Sequence, residues 1–218
     1  MEINQGIERS AINALPQEYC CFLVNYYEQS LAAKPESLSY GCMIPSKQPS
    51  EKDGGYVKIA LFIEDYKRAG VPETIVKSLF PSGNSKAERN IYLHVIAFKA
   101  KHGYVPDGRH RHVSHLCDVP SCFHDGHLVD EDAETNNRRK NCRRCLLLPP
   151  EYMVADGRRV VVLACNGHGS DIKCIIPTEY LNCSQYYLIN NATSIDKNVE
   201  NCIEKGGPPT KGTKNILE

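Results

Sequence analysis

The stretch His115-Leu116-Cys117-x4-Cys122-x4-His127-Leu128, followed by Asn136 and Cys142, sets sulfur, imidazole and amide groups at short, fixed intervals. Thiolates and imidazoles are the ligands zinc takes tetrahedrally, and structural sites draw them from a short loop plus more distant positions. Cys117 and Cys122 bracket a four-residue loop containing Pro120, and His127 closes it five residues later. A fourth ligand must come from elsewhere, and Cys42, ahead of the first expected strand, is the candidate. A second group, Cys142, Cys145, Cys165, His168 and Cys174, offers five side chains for four positions. Either Cys142-x2-Cys145 joins Cys165-x2-His168, or Cys174 replaces Cys145. Two zinc sites would explain how an irregular, loop-rich region folds at all.

His115 stands two residues before a candidate zinc ligand and need not bind zinc itself. In an alternating strand His115 and Cys117 point to the same side, so clamping the loop would fix the imidazole. An imidazole titrating near neutrality suits a general base that activates water. Asn136 carries a hard carbonyl oxygen suited to Mg²⁺, or to Mn²⁺, which keep further positions for water and phosphate. Taken singly, such a histidine is more often structural and such an asparagine a surface amide. Their setting around the Cys/His loop is what points to catalysis.

These residues need positioning elements, and the chain has room for them. Its 218 residues can bury a full core. No apolar run reaches the roughly 18 residues of a membrane span, and Met1 to Arg9 is polar, unlike a signal peptide. The expectation is an intracellular protein. Eleven cysteines is an odd count, and clustered cysteines in a reducing compartment bind metal more often than they pair. A secreted disulfide protein, to which the sequons at Asn182 and Asn191 would belong, is the contrary reading. Lysine plus arginine balance aspartate plus glutamate at 26 each, so no global attraction to nucleic acid exists. Locally, however, Arg138, Arg139, Lys140, Arg143 and Arg144 form one basic run, and Lys99, Lys101, Arg109 and Arg111 another. Such patches beside a metal site suit a phosphate backbone.

Apolar spacing predicts a peripheral helix from Gln17 to Ala33, limited by Pro35, with Cys20 and Cys21 as small apolar residues. Tyr56 to Ile63 reads as a strand, Pro72–Phe80 as a short helix and Pro81–Ser85 as a turn. Ile91 to His102 reads as a helix, followed by a turn at Pro106–Gly108 and a strand at 110–115. After the loop at 116–127 come a return strand at 127–130, a helix over Asp132–Asn141 capped by Asp130 or Asp132, and a strand over Arg159–Leu163. The expected division is a helical extension over 1–41, a zinc-bound domain over 42–175 and a tail over 176–218.

On the central box His115-Leu116-Cys117-x4-Cys122-x4-His127-Leu128-x7-Asn136-x5-Cys142, the chain resembles the His-Cys box homing endonucleases of the ββα-metal (His-Me finger) nuclease superfamily. Gly55-Tyr56-Val-Lys-Ile, His94-Val-Ile-Ala-Phe, Val105-Pro-Asp-Gly108 and Cys165-x2-His168-x5-Cys174 resemble the family's flanking motifs. The resemblance implies an α+β fold: a ββα-metal nuclease core of mixed strands and helices, stabilised by two structural zinc sites. It implies hydrolysis of a DNA phosphodiester with one Mg²⁺, His115 deprotonating the attacking water and Asn136 holding the cation. Cys42, Cys117, Cys122 and His127 would bind one Zn²⁺. Cys142, Cys165, His168 and Cys174, in preference to Cys145, would bind the other.

Double-stranded DNA is the implied partner, met by a homodimer through a β-ribbon, with the apolar tail residues Tyr180, Leu181 and Tyr186–Ile189 as dimer contact. Tyr56, Lys58, Arg109, Arg111, Arg138, Arg139 and Lys140 are the candidate DNA contacts. Lys58, Arg109 and Arg111 are candidates for the cation that stabilises the transition state. Ser114 stands where many related enzymes place Asp before the base. The alternative is a zinc-stabilised DNA-binding or interaction module without catalysis.

Overall fold

The computed structural model describes residues 9–35, 41–49, 51–140, 142, 146–147, 159–162, 165, 167–168, 171–175 and 186–189. Cys145, Arg143, Arg144, Tyr180 and Leu181 lie outside them. The chain divides into two compact units, one of residues 1–37, 42–115 and 119–131, the other of residues 38–41, 116–118 and 132–218.

In the first unit, helix α1 (9–14) leads into α2 (Gln17–Glu28). Their residues Ala11, Ile12, Leu15, Tyr19, Cys20 and Leu23 belong to one apolar core with Ile59, Leu61, Tyr66, Ile96 and Phe98. The segment expected at the periphery thus contributes side chains to the core. Helix α2 stops well before Pro35. Ala32 N–H donates to Ile44 O at 2.8 Å and Ser46 N–H to Ser30 O at 2.9 Å, so backbone pairing with the 44–46 segment ends the helix. That same segment follows Cys42 directly.

Strand β1 (Lys58–Phe62) runs into α3 (Ile63–Arg68), and α4 (Glu73–Leu79) follows. Strand β2 (Glu88–Tyr92) then leads without a loop into α5 (Leu93–His102). The strand is a correction, because helix was expected from Ile91. Ile91 pairs across with Ile59 in an antiparallel ladder whose other partners are Lys58↔Tyr92, Ala60↔Asn90, Leu61↔Arg89 and Phe62↔Glu88. Cross-strand burial here overrides the local spacing. Gly103 ends α5 at φ 77°, a left-handed cap that a glycine adopts without strain.

Asp107 shapes the next turn. Its Oδ1 accepts the backbone N–H groups of Arg109, His110 and Arg111 at 2.7–2.9 Å. Those three donors hold its carboxyl down at about 2. The turn feeds β3 (Arg111–His115), which pairs with β4 (Leu128–Asp132). Strand β4 in turn runs directly into α6 (Ala133–Lys140), giving the order ββα along the chain.

In the second unit Asp132 caps α6, as expected. Its Oδ1 accepts Thr135 N–H and its Oδ2 accepts the Thr135 hydroxyl, both at 2.7 Å. The short strands β5 (Leu146–Leu147), β6 (Arg159–Val162) and β7 (Tyr186–Ile189) form an antiparallel sheet in that order. No helix among the described residues is long and apolar enough to cross a membrane.

Candidate functional site

The loop between β3 and β4 is built to gather ligands. Asp118 turns the chain at φ 60°, a left-handed conformation that a short polar side chain tolerates. Phe123 N–H donates to Met43 O at 3.0 Å, which draws the segment beyond Cys42 against the loop. A 3-10 turn at Asp125–His127 brings the histidine in. Cys42, Cys117, Cys122 and His127 are all buried, with their ligand atoms within 4.8 Å of one another.

His127 Nδ1 lies 3.5 Å from Cys122 Sγ and 3.8 Å from Cys42 Sγ. A zinc tetrahedron with ordinary Zn–S and Zn–N bonds has N···S edges of about 3.5 Å. Donor type, burial and spacing therefore fit a structural zinc ion. His124 stacks on the His127 ring at 4.3 Å and steadies it.

Among the described residues, which leave out Cys145, the second cluster gathers Cys142, Cys165, His168 and Cys174. Its His168 Nε2 lies 3.2 Å from Cys165 Sγ and 3.3 Å from Cys174 Sγ. These edges are slightly tight for zinc, but the donor set is complete. Gly167 N–H donates to Cys165 Sγ at 3.3 Å, a backbone bond of the kind that supports a thiolate ligand.

His115 sits at the end of β3 and is 8 % exposed. Its Nε2 is 2.9 Å from the backbone carbonyl of Cys122. A carbonyl oxygen can only accept, so Nε2 carries the proton and Nδ1 is the basic nitrogen of the neutral ring. The loop's hold on the imidazole runs through the backbone carbonyl of Cys122.

Around His115 lies a stack of rings. His94 is centred 4.8 Å away and Tyr56 5.7 Å, and Tyr92 packs on both Tyr56 and His94. Burial, then the neighbouring His115, push the His94 pKa well below the ordinary histidine value, so this ring is neutral. Among the described residues, its buried Nδ1 has no hydrogen-bond partner. Sequence reasoning quoted His94 only within a flanking motif and gave it no role. Its single signal was the polar ring heading the apolar run Val95-Ile-Ala-Phe98.

Asn136 is 7 % exposed on α6, on the same face as Arg139 three residues on. Arg139, expected at the DNA surface, is corrected here: it is 1 % exposed, and its guanidinium donates to Ile172 O and Cys174 Sγ. Lys99 is likewise no surface cation, since it is buried and donates to Ile12 O and Asn13 O at the end of α1.

The remaining cations stay near solvent. Arg109 and Lys140 are exposed, Arg138 is exposed and pairs with Glu134, and Arg111 pairs with Asp130 at 2.8 Å. Lys58 pairs with Asp53 at 2.9 Å and lies over the Tyr92 ring, 4.6 Å from its centre. That contact joins Lys58 to the ring stack around His115.

A family model described as the zinc-binding loop region of homing endonuclease matches residues 41–186. Neither a curated protein nor a solved structure matches the chain.

Proposed function

Because the chain belongs to the family defined by the zinc-binding loop region of homing endonucleases, we propose that it is a DNA endonuclease that cuts phosphodiester bonds with His115 as general base. The observation carrying this reading is the His115 Nε2 bond to the Cys122 carbonyl. That bond fixes the ring and its tautomer, so that Nδ1 is the nitrogen that would take the proton of an attacking water. Asn136 would hold a single Mg²⁺ through its amide oxygen, with Mn²⁺ an alternative. When bound, such a cation neutralises charge on the scissile phosphate and the departing 3′ oxygen.

Lys58 is the cation best suited to assist at the phosphate, because Tyr92 links it to the stack that contains His115. Exposed Arg109, Arg138 and Lys140 would meet phosphates further along the duplex. The β1–β2 ribbon suits a major groove. Ile59 and Leu61 turn inward, leaving Asn90 and Glu88 on the other side of the ladder to meet base edges. A nuclear location follows from the substrate.

The test is cleavage of a supercoiled plasmid pool carrying randomised targets, with Mg²⁺ and the zinc-loaded protein. Nicking and linearisation are expected. Asn136→Ala should slow both at least about 100-fold by loss of the cation's charge stabilisation. A wild-type protein that binds the pool but never cuts it would sink the nuclease and leave a non-catalytic zinc module.

A homodimer suits a substrate of two half-sites. It predicts a doubled mass in sedimentation velocity on a cleaved target duplex. A single chain per active duplex would refute it.

A further inference from the structure

Among the described residues of the second unit, the most deeply buried charge is Arg139. Arg139 is 1 % exposed, yet a guanidinium stays protonated under all ordinary conditions. Burying such a charge is costly unless negative charge and hydrogen bonds meet it. Nη1 donates to Cys174 Sγ at 3.4 Å and to Ile172 O at 3.4 Å, and Nη2 donates to Ile172 O at 3.3 Å. The same residue's carbonyl accepts Cys142 N–H at 2.9 Å. Arg139 therefore touches the first cysteine of the cluster with its backbone and the last with its side chain.

Charge counting gives that contact a purpose. Three thiolates and a neutral imidazole around a divalent zinc sum to one net negative charge. In a buried site that excess needs a counter-charge, and the guanidinium at Cys174 supplies one positive charge.

We propose that Arg139 is the built-in counter-ion of the Cys142–Cys165–His168–Cys174 metal site, and that through it the site holds the helix face carrying Asn136. The inference rests on the zinc reading of this cluster and only in its last clause on the nuclease reading. It turns a residue from the basic run into a positioning residue. The neighbours Arg138 and Lys140 remain at the surface.

The full-length protein is loaded with two zinc ions and challenged with a chromogenic chelator. In parallel it is reconstituted with Co²⁺, whose sulfur-to-metal charge-transfer band reports on thiolate ligation. Arg139→Met keeps the length of the side chain and removes the charge. It should weaken one of the two zinc sites about 10–100-fold, as loss of an outer-shell partner does, and leave the other as in wild type. Arg139→Lys keeps the charge without the fork and should release zinc at an intermediate rate. Arg138→Met should release it as wild type does.

Arg139→Met that holds both ions as tightly as wild type would overturn the proposal. So would a Lys variant no better than the Met variant, which would reduce the role to packing. If Arg139→Met fails to fold, the comparison of Arg139→Lys with wild type decides: unchanged zinc release in Arg139→Lys overturns the proposal, and faster release from one site alone upholds it. Zinc release is read without DNA, so its outcome is separate from whether the protein cuts.

Discussion

Alanine in place of His115 is expected to slow DNA cleavage about 10²–10⁴-fold, the usual contribution of a positioned general base, with both zinc ions retained. The substitution deletes the nitrogen proposed to take the water's proton and removes none of the cysteine side chains of either cluster. It also strips the Cys122 carbonyl of its 2.9 Å partner. An unsatisfied buried acceptor costs about 1–3 kcal/mol, so some destabilisation accompanies the loss. Zinc content and circular dichroism must therefore be matched before rates are compared. Added imidazole should restore part of the activity by entering the vacated space. Equal cutting by the variant and wild type would remove His115 from the mechanism and direct attention to a contaminant.

Removal of zinc by a strong chelator is expected to abolish cleavage while much of the helical signal survives. Structural zinc sites contribute on the order of 10 kcal/mol to the folding of small metal-bound modules, comparable with the whole stability of a typical domain. The loop at 116–127 is short of apolar side chains of its own, with Phe123 its one residue in the apolar core. The core of α1, α2, α5 and the β1–β2 pair is built mainly from residues outside that loop. Hydrogen exchange should accordingly rise over 111–131 and 133–140, yet change little over α2 and α5. Cys117→Ser should reproduce the first half of that pattern. A chelated protein that keeps its exchange protection and its activity would show that neither cluster needs a metal.

The candidate site was more legible than the fold that holds it. The ligands Cys42, Cys117, Cys122 and His127 were readable because zinc chemistry restricts residue type and loop spacing together, and they do converge. Cys174 was an open alternative by spacing alone; the family resemblance favoured it, and the geometry gathers it with Cys142, Cys165 and His168. Strand β2 was hidden because its partner lies some thirty residues earlier, and Ile91 fits a helix face as well as a strand. The inward turn of Arg139 was hidden for a related reason. A run of basic residues looks the same whether every member faces water or one of them is buried against a thiolate. The hold on His115 could not be read at all, since every residue has a carbonyl and only the folded loop shows which one is used.

Cys122 supplies a sulfur to the metal cluster and a carbonyl to His115. If the chain cuts DNA as proposed, it endangers the cell that makes it, and a newly made chain has yet to acquire its zinc. In such a chain the loop that orients the imidazole would still be unformed. Arming would then wait for maturation, and a cell short of zinc would accumulate a harmless precursor instead of a live cutter.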